Sequence, residues 1–269
     1  MNCYPVYENP YENVRIDSGT VVKLHRFAVG NPEVARYVST LSPPSTKLEA
    51  YFKIFKALYE VVPVTNTDDA PRGKVPYITV GDAKLTDSDL IINYLKRTQV
   101  DPDANLTATQ RALGHLVQRT LEDHLYWIIV YYEFYDQNGW DFLLRASVCD
   151  PTVLPPPVTA AFDEIRADRS RRCYDQGIAR YTPGEIVEKA CKDLQAVSEI
   201  LGDHTYLLGT DQPTSFDAVV VGMTLAILQA REMHPEISDF ARKIRNLSRY
   251  MHRMLATYFP ELELTFQPA

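Results

Sequence analysis

Two neighbouring pairs of residues, Val75-Pro76 and Asp87-Ser88, have the types and spacing to bind a ligand that resembles an amino acid. A cis Val75-Pro76 peptide would present the backbone of Val75 to such a ligand. Asp87 and Ser88 supply a carboxylate and a hydroxyl at the start of a predicted helix, where free backbone amides attract anions. Together these groups could hold the amine and the carboxylate of the ligand. The alternative is a proline-bent edge strand followed by an ordinary helix cap, with no ligand.

The elements predicted around these pairs form an α/β unit with a mixed sheet covered by helices. Alternating or valine-rich segments predict three strands, at residues 21–27, 58–64 and 75–80. A fourth short strand follows the Gly81-Asp82 turn. Apolar spacing predicts a helix at residues 43–57 and another from residue 87, whose buried face comprises Leu90, Ile91, Tyr94 and Leu95. Residues 65–72 are polar and too few for a regular helix.

The second half of the chain is predicted to be helical almost throughout. Residues 101–105 are the predicted linker between a domain at residues 1–100, which includes an N-terminal extension at 1–20, and a domain at residues 101–269. Apolar periodicity predicts five helices, at residues 107–136, 162–180, 183–201, 218–233 and 238–259. A proline-rich break at residues 153–158 separates the first two. Thr214 and Asp217 have the spacing of a capping box.

Composition predicts a soluble cytoplasmic protein. The formal net charge of -7 argues against nonspecific nucleic-acid binding and against an anionic membrane surface. Four scattered cysteines, without a Cys-x-x-Cys motif, suit a reducing compartment. The N-terminal residues lack the pattern of a secretory signal, and the longest apolar stretch is too short for a transmembrane segment. The sequence contains no phosphate loop and no pair of metal ligands.

The segment around residues 73–95 resembles the glutathione-binding half of the glutathione transferase superfamily. This resemblance implies a thioredoxin-like N-terminal domain, an all-α C-terminal domain and glutathione as the bound co-substrate. It implies that Val75 and Pro76 pair with the cysteine backbone of glutathione, and that Asp87 and Ser88 hold its γ-glutamyl end. Lys74 falls where the family often places a polar side chain near glutathione.

Two further segments extend the resemblance. Residues 207–218 are similar to the buried helix start of the transferase C-terminal domain. Residues 40–49 resemble a Ser-Pro-Phe-Cys-x-Lys-Leu-Glu segment of the failed-axon-connections and metaxin-like branch, as do residues 125–127 and 176–181. Here Pro44 replaces the phenylalanine and Ser45 replaces the cysteine. Any chemistry that the branch performs with that cysteine is therefore in doubt in this chain.

The resemblance places the chemistry at the start of the first helix. A hydroxyl donor and a helix N-terminus stabilise a thiolate, and can lower a thiol pKa from ~8.5 to about 7 or below. Ser42, at the predicted helix cap, and Ser45, in the first turn, are the candidate catalytic donors. The alternative is that Ser42 only caps the helix. Tyr37 and Tyr4 are less well placed, and the long segment at residues 30–41 is expected to reshape the site.

The second substrate is expected to be an apolar electrophile. Its predicted wall is the aromatic helix, through the substrate-contacting residues Tyr126, Trp127, Val130 and Tyr131. The alternative is that this aromatic stripe is simply core.

Three functions follow from these observations. The first is a glutathione transferase, in which the thiolate attacks a hydrophobic electrophile. The second is a glutathione-dependent cis-trans isomerase of a conjugated alkene, as in natural-product pathways. The third is a non-catalytic, metaxin-like adaptor. The family also leads us to expect a homodimer.

Overall fold

The computed structural model describes Val14, Ile16 and residues 19–99, 101–148 and 150–269. Cys3, Tyr4, Cys149 and most of the predicted N-terminal extension lie outside these described residues. Within them, no helix is long and apolar enough to cross a membrane.

A mixed sheet of four strands forms the centre of the N-terminal half, in the order β2-β1-β3-β4. The strands are β1 (Val22–Phe27), β2 (Tyr59–Val64), β3 (Tyr77–Val80) and β4 (Ala83–Thr86). Strand β1 runs parallel to β2 and antiparallel to β3, which pairs with β4 across the predicted turn. Pro63 is tolerated because β2 is an edge strand. The strand predicted at residues 75–80 begins only at Tyr77. The prediction that Pro76 lies within the strand is therefore wrong, and Pro76 precedes it.

Three helices accompany the sheet, namely α1 (Pro32–Ala35), α2 (Pro43–Ile54) and α3 (Ser88–Thr98). Helix α2 ends earlier than predicted, and Lys56 follows with a φ of 56°, in the left-handed region. The predicted buried face of α3 is correct at three positions but wrong at Leu90, which is 40% exposed. Ile92 is buried in its place. Residues 65–72 form turns, which confirms that no regular helix occupies this connection.

The C-terminal half is helical, as predicted. Its α-helices are α4 (Ala108–Arg119), α5 (Tyr126–Val130), α6 (Gln137–Ser147), α7 (Pro156–Gln176), α8 (Pro183–Leu201), α9 (Ser215–Gln229), α10 (Pro235–Lys243) and α11 (Arg245–Tyr258). The long helix predicted at residues 107–136 contains two π-helical segments, Thr120–Leu125 and Tyr131–Tyr135, on either side of α5. Such segments are rare and often occur at functional sites.

Several helix boundaries differ from the prediction. Helix α7 begins within the proline run, at Pro156, because proline is tolerated in the first turn of a helix. The helix predicted at residues 238–259 is two helices, because Ile244 between them has an extended backbone. Asn246 fixes this break through hydrogen bonds from its side-chain amide to the carbonyls of Ser198 and Gly202. Helix α9 begins at Ser215, directly after the cap residue.

The predicted capping box is present at the start of α9. Asp217 is fully buried and accepts hydrogen bonds from the amide of Thr214 at 2.7 Å and from its hydroxyl at 2.9 Å. The other carboxylate oxygen accepts from the amide of Leu207 and from the hydroxyl of Tyr250. Asp217 therefore joins three segments of the helical half, as a folding element.

The two halves pack through α2 and α9. Gly222 of α9 allows a close approach, since a Cβ atom there would lie 2.4 Å from the Cβ of Lys47. Asp103, in the predicted linker, accepts hydrogen bonds from the amide of Ser215 at 2.9 Å and from its hydroxyl at 2.6 Å. The linker thus caps helix α9 of the second half. The division into domains at residue 100 stays a prediction.

Candidate functional site

The candidate site lies where the start of α2, the turn before β3 and the start of α3 meet. The Val75-Pro76 peptide is cis, which confirms the expectation from the sequence. Because His25 of β1 pairs with Tyr77 of β3, this turn lies beside the carboxyl end of β1. Lys74, just before the turn, is exposed.

The start of α3 has a constrained backbone. Asp87 is the cap residue, with a φ of 71° and a ψ of 118°, and its Oδ1 accepts hydrogen bonds from the amides of Asp89 and Leu90. A non-glycine residue in such a conformation costs on the order of 1–3 kcal/mol and is found mainly at ligand and active sites. Asp87 is exposed, whereas Ser88 is buried at the first helical position. An exposed carboxylate, a hydroxyl and helix-start amides are therefore adjacent, as predicted.

The two serines of α2 form a pair. Ser42 occupies the cap position, but its side chain makes no capping hydrogen bond, so the alternative that it is only a cap is not supported. The fully buried Ser45 donates a hydrogen bond to the Ser42 hydroxyl at 3.0 Å. Ser42 is half-buried and is the more accessible of the two. Of the two hydroxyls, that of Ser42 is therefore the one that solvent can reach, and Ser45 donates to it.

The segment at residues 30–41 is a bridge to the helical half. The amides of Gly30 and Asn31 both donate to the carbonyl of Ala146, at 2.9 and 3.1 Å. A Cβ atom at position 30 would lie 2.1 Å from the carbonyl oxygen of Ser147, so glycine is required there. Arg36 adds a bidentate ion pair with Glu263. Tyr37 packs near the helical half, where burial raises the pKa of its phenol.

A buried ionic network lies beside the start of α3, and it was not predicted from the sequence. Lys47 of α2 is only 1% exposed, and its Nζ lies 2.5 Å from Glu122 Oε1 and 3.8 Å from Asp89 Oδ1. Gln118 donates to Asp89 at 2.7 Å and to Glu122 at 3.1 Å, and Arg119 donates to Glu122 at 2.7 Å. The network joins α2 and α3 to the helical half. A lysine beside the apolar positions of α2 was the signal that could have revealed it.

The predicted substrate wall is divided between partly exposed and buried residues. Tyr126 and Trp127 are half-buried and form an edge-to-face pair, with ring centroids 5.7 Å apart. Val130 and Tyr131 are buried, and Tyr131 stacks on Tyr135. The π-helical segment that contains Tyr131 packs against α6 and α7. Tyr126 and Trp127 are thus the more accessible half of the predicted wall.

A second titratable cluster lies between this segment and α7. Burial raises the pKa of the Glu133 carboxyl to about 8, with Arg169 opposing the shift. Burial, reinforced by Glu133, raises the pKa of the Cys173 thiol to about 12. Cys173 is therefore kept as a protonated thiol. Among the described residues, no group of His, Cys, Asp and Glu side chains is arranged to hold a metal ion.

Comparison with known families agrees with this architecture of a thioredoxin-like domain followed by a helical domain. The model of the glutathione S-transferase N-terminal domain matches residues 43–139. The model of the glutathione S-transferase C-terminal domain matches residues 190–254. A glutathione S-transferase of Ceriporiopsis subvermispora, solved in complex with glutathione, has the same fold, with a TM-score of 0.60 at 16% identity over 91% of this chain and 98% of that one.

Two curated relatives refine the assignment. The isoprene-epoxide–glutathione S-transferase of a Rhodococcus species is 30% identical over 82% of this chain and 94% of the relative. Failed axon connections of Drosophila melanogaster is 28% identical over 82% of this chain and 55% of its own length. Metaxins are further relatives. The chain belongs to the glutathione S-transferase family, and its resemblance to the failed-axon-connections and metaxin-like branch is confirmed.

Proposed function

We propose that this protein binds glutathione at the start of α3 and uses its thiolate to attack a hydrophobic electrophile. The observation that carries the proposal is the strained, exposed Asp87 next to the buried Ser88 at a helix N-terminus. Two family models and the related isoprene-epoxide–glutathione S-transferase support it.

The proposed binding mode assigns one end of glutathione to each part of the site. The amine of the γ-glutamyl group faces the Asp87 carboxylate, which is exposed beside the helix start. The γ-glutamyl carboxylate faces the hydroxyl and the amide of Ser88, since the amides of Asp89 and Leu90 already donate to Asp87. The helix dipole favours a negative charge there. The backbone of Val75 pairs with the cysteine residue of glutathione. Lys74 is exposed close by and faces the glycine carboxylate.

The proposed chemistry takes place at the start of α2. The Ser42 hydroxyl donates a hydrogen bond to the glutathione sulfur, which lowers the thiol pKa together with the helix N-terminus. The thiolate then forms a carbon–sulfur bond with the electrophile. If the electrophile is an epoxide, a carbon–oxygen bond breaks and the resulting alkoxide takes a proton from water. Tyr126 and Trp127 are proposed to contact the apolar part of this substrate, with Val130 and Tyr131 packed behind them.

Titration calorimetry with glutathione at neutral pH tests the binding site. The wild-type protein is expected to bind in the micromolar-to-millimolar range. Asp87→Asn removes the charge but keeps a residue that caps helices and tolerates positive φ, so the fold should persist while affinity falls about tenfold. Ser88→Ala should also weaken binding. Asp82→Ala, at an exposed turn residue, is the matched control.

The binding measurements test the site, and separate turnover measurements test the reaction. Unchanged affinity in both Asp87→Asn and Ser88→Ala would reject this site. If wild-type binding is confirmed, turnover of an epoxide and of a conjugated cis-alkene should be measured in parallel. Consumption of glutathione indicates transfer. Isomerised alkene with glutathione conserved indicates the isomerase, because the same thiolate adds and is then expelled.

A non-catalytic adaptor is the second candidate. It is favoured by the relatives of the failed-axon-connections and metaxin-like branch and by the replacement of the branch's cysteine by the buried Ser45. The shortened connection at residues 65–72, which forms turns and no regular helix, also favours it. Absence of glutathione binding by the wild-type protein would favour this candidate. A cytoplasmic location stays a prediction under either candidate.

A further inference from the structure

A cleft of about 370 Å³ lies between the end of α8 and the exposed face of α11, and it shares no residue with the glutathione site. Its lining is mainly basic and polar, and comprises Gly202, Asp203, His204, Arg245, Asn246, Arg249, Tyr250 and Arg253. The three arginines are spaced four residues apart on α11. At 1.5 Å per residue, their Cα atoms are about 6 Å apart along one helix face.

Among the described residues, the three arginines of this cleft lack ion-pair partners and lie together on one helix face. Arg36 and Arg231, by contrast, form ion pairs with nearby carboxylates. In the described part of the chain, Arg245, Arg249 and Arg253 have no carboxylate within 4.0 Å, although Asp203 lines the same cleft. Like charges four residues apart on a helix repel each other. Three unpaired arginines in a protein of net charge -7 therefore form a local positive site that the fold does not neutralise.

The cleft is held by buried structure. Arg253 donates to the carbonyl of Thr205, and its guanidinium carbon lies 5.7 Å from the centre of the Tyr250 ring. Tyr250 is itself buried and donates to Asp217 at 2.8 Å. Asn246 binds Ser198 and Gly202, which fixes the N-terminus of α11 against α8. The base of the cleft is therefore already formed before any ligand binds.

We propose that this cleft binds a ligand that carries two phosphate groups. Arginine binds phosphate through two parallel hydrogen bonds, and one helical turn between Arg245 and Arg249 suits two neighbouring phosphates. The first amides of α11, beside Arg245, add the positive end of a helix dipole. The phosphates belong either to a soluble molecule or to a lipid headgroup, since the arginines would contact the same groups in both.

Titration calorimetry with inorganic pyrophosphate at low salt tests the proposal. We expect saturable binding to the wild-type protein that weakens at higher salt, at least about tenfold weaker binding in Arg249→Gln, and no measurable binding in the Arg245→Gln/Arg249→Gln variant. Arg171→Gln, at an exposed arginine of α7, is the matched control and should bind like the wild type. Glutamine is a good helix former, so circular dichroism should show unchanged folding.

A second measurement distinguishes the two sources of phosphate. Vesicles of phosphatidylcholine with phosphatidylinositol 4-phosphate, whose headgroup carries two phosphate groups, are compared with vesicles of phosphatidylcholine alone in a sedimentation assay. Arginine-dependent binding to these vesicles without binding to pyrophosphate assigns the cleft to a lipid headgroup. Binding to neither probe, or equal binding by the wild type and the double variant, overturns the proposal. Glutathione affinity should be unchanged in the double variant, so the two proposals fail independently.

Discussion

The two serines at the start of α2 are joined by a hydrogen bond, and we propose different roles for them. Ser45 is buried and donates to Ser42, whereas the Ser42 side chain does not cap the helix. The hydroxyl nearest the proposed thiolate therefore contributes to folding only as the acceptor of the Ser45 hydroxyl. The buried hydroxyl contributes mainly by orienting its neighbour.

Ser42→Ala should lower the rate of glutathione conjugation about 10- to 100-fold, because a thiolate donor is lost. It should also cost about 1 kcal/mol of stability, because the buried Ser45 hydroxyl loses its acceptor. Ser45→Ala should lower the rate less and cost about 1 kcal/mol of stability, because a buried hydrogen bond disappears. Initial rates and urea denaturation of both variants check this. Wild-type rates in Ser42→Ala would remove serine activation from the mechanism.

His234 predicts a pH dependence of stability. It is 1% exposed, and neither ring nitrogen has a hydrogen-bond partner among the described residues. Burial lowers its pKa to about 3, from the ordinary value of 6.5. Above pH 6.5 both the folded and the unfolded protein hold this histidine neutral, so it contributes no pH dependence there. Below 6.5 only the unfolded protein gains a proton, and the free energy of unfolding falls by up to about 1.4 kcal/mol per pH unit until pH 3.

Urea denaturation of the wild type and of His234→Phe at pH 7 and pH 5.5 isolates this effect. Glu133 acts in the opposite direction, because its pKa is raised to about 8 and its protonated folded form gains stability as the pH falls below 8. Glu133 is present in both proteins, so the difference between them reports His234. The wild type should lose more stability on acidification than the variant does. Parallel pH profiles would contradict the prediction.

Helices α2 and α3 bring the two halves of the candidate site together through Lys47. This side chain is buried at the interface with α9, between Glu122 of the helical half and Asp89, one residue after Ser88. Since both α2 and α3 contribute to the network, it fixes the start of α3 relative to the start of α2. The site is therefore positioned by tertiary contacts as well as by local sequence.

Lys47→Met should destabilise the protein by about 3 kcal/mol, because Glu122 would lose its buried partner. Lys47→Met combined with Glu122→Met should recover a large part of this loss, since no buried charge then remains unpaired. A double-mutant cycle by urea denaturation measures the coupling. Additive losses in the two single variants would show that the pair does not act as a unit.

At the scale of the whole molecule, the exposed leucines of α3 and α4 support a homodimer. Leu90, Leu113 and Leu116 are 40%, 36% and 60% exposed, on two consecutive helices of the chain. A surface that covered all three leucines would remove their apolar area from water, which would stabilise the association. We propose that a second copy of the chain covers them.

Leu116→Glu should therefore shift the protein from dimer to monomer in analytical ultracentrifugation, because a charge would be buried in the interface. Ile165→Glu, at a residue of α7 that is 47% exposed, is the matched control and should leave the dimer intact. A monomeric wild type would reject the dimer. Equal dissociation by both variants would place the interface elsewhere.

Elements with local signals could be predicted from the sequence alone. Alternation, helical spacing and turn residues were enough for the four strands, for helices α2 and α3 and for the capping box at Thr214 and Asp217. Helices α1 and α6 were not predicted. The candidate pairs Val75-Pro76 and Asp87-Ser88 were recognisable because the two residues of each pair are adjacent in the chain. The absence of a helix at residues 65–72 followed from length and polarity alone.

Features that depend on distant contacts could not be predicted from the sequence and were found only in the folded structure. The Lys47 network joins residues from four elements, and the break at Ile244 depends on Asn246 binding the end of α8. The exposure of Leu90 and the burial of Ile92 were equally undetermined, because local periodicity does not show which side of a helix a second domain covers. Hydrogen bonds and burial between segments far apart in the chain have no local pattern, so the positioning of the site was visible only in the folded protein.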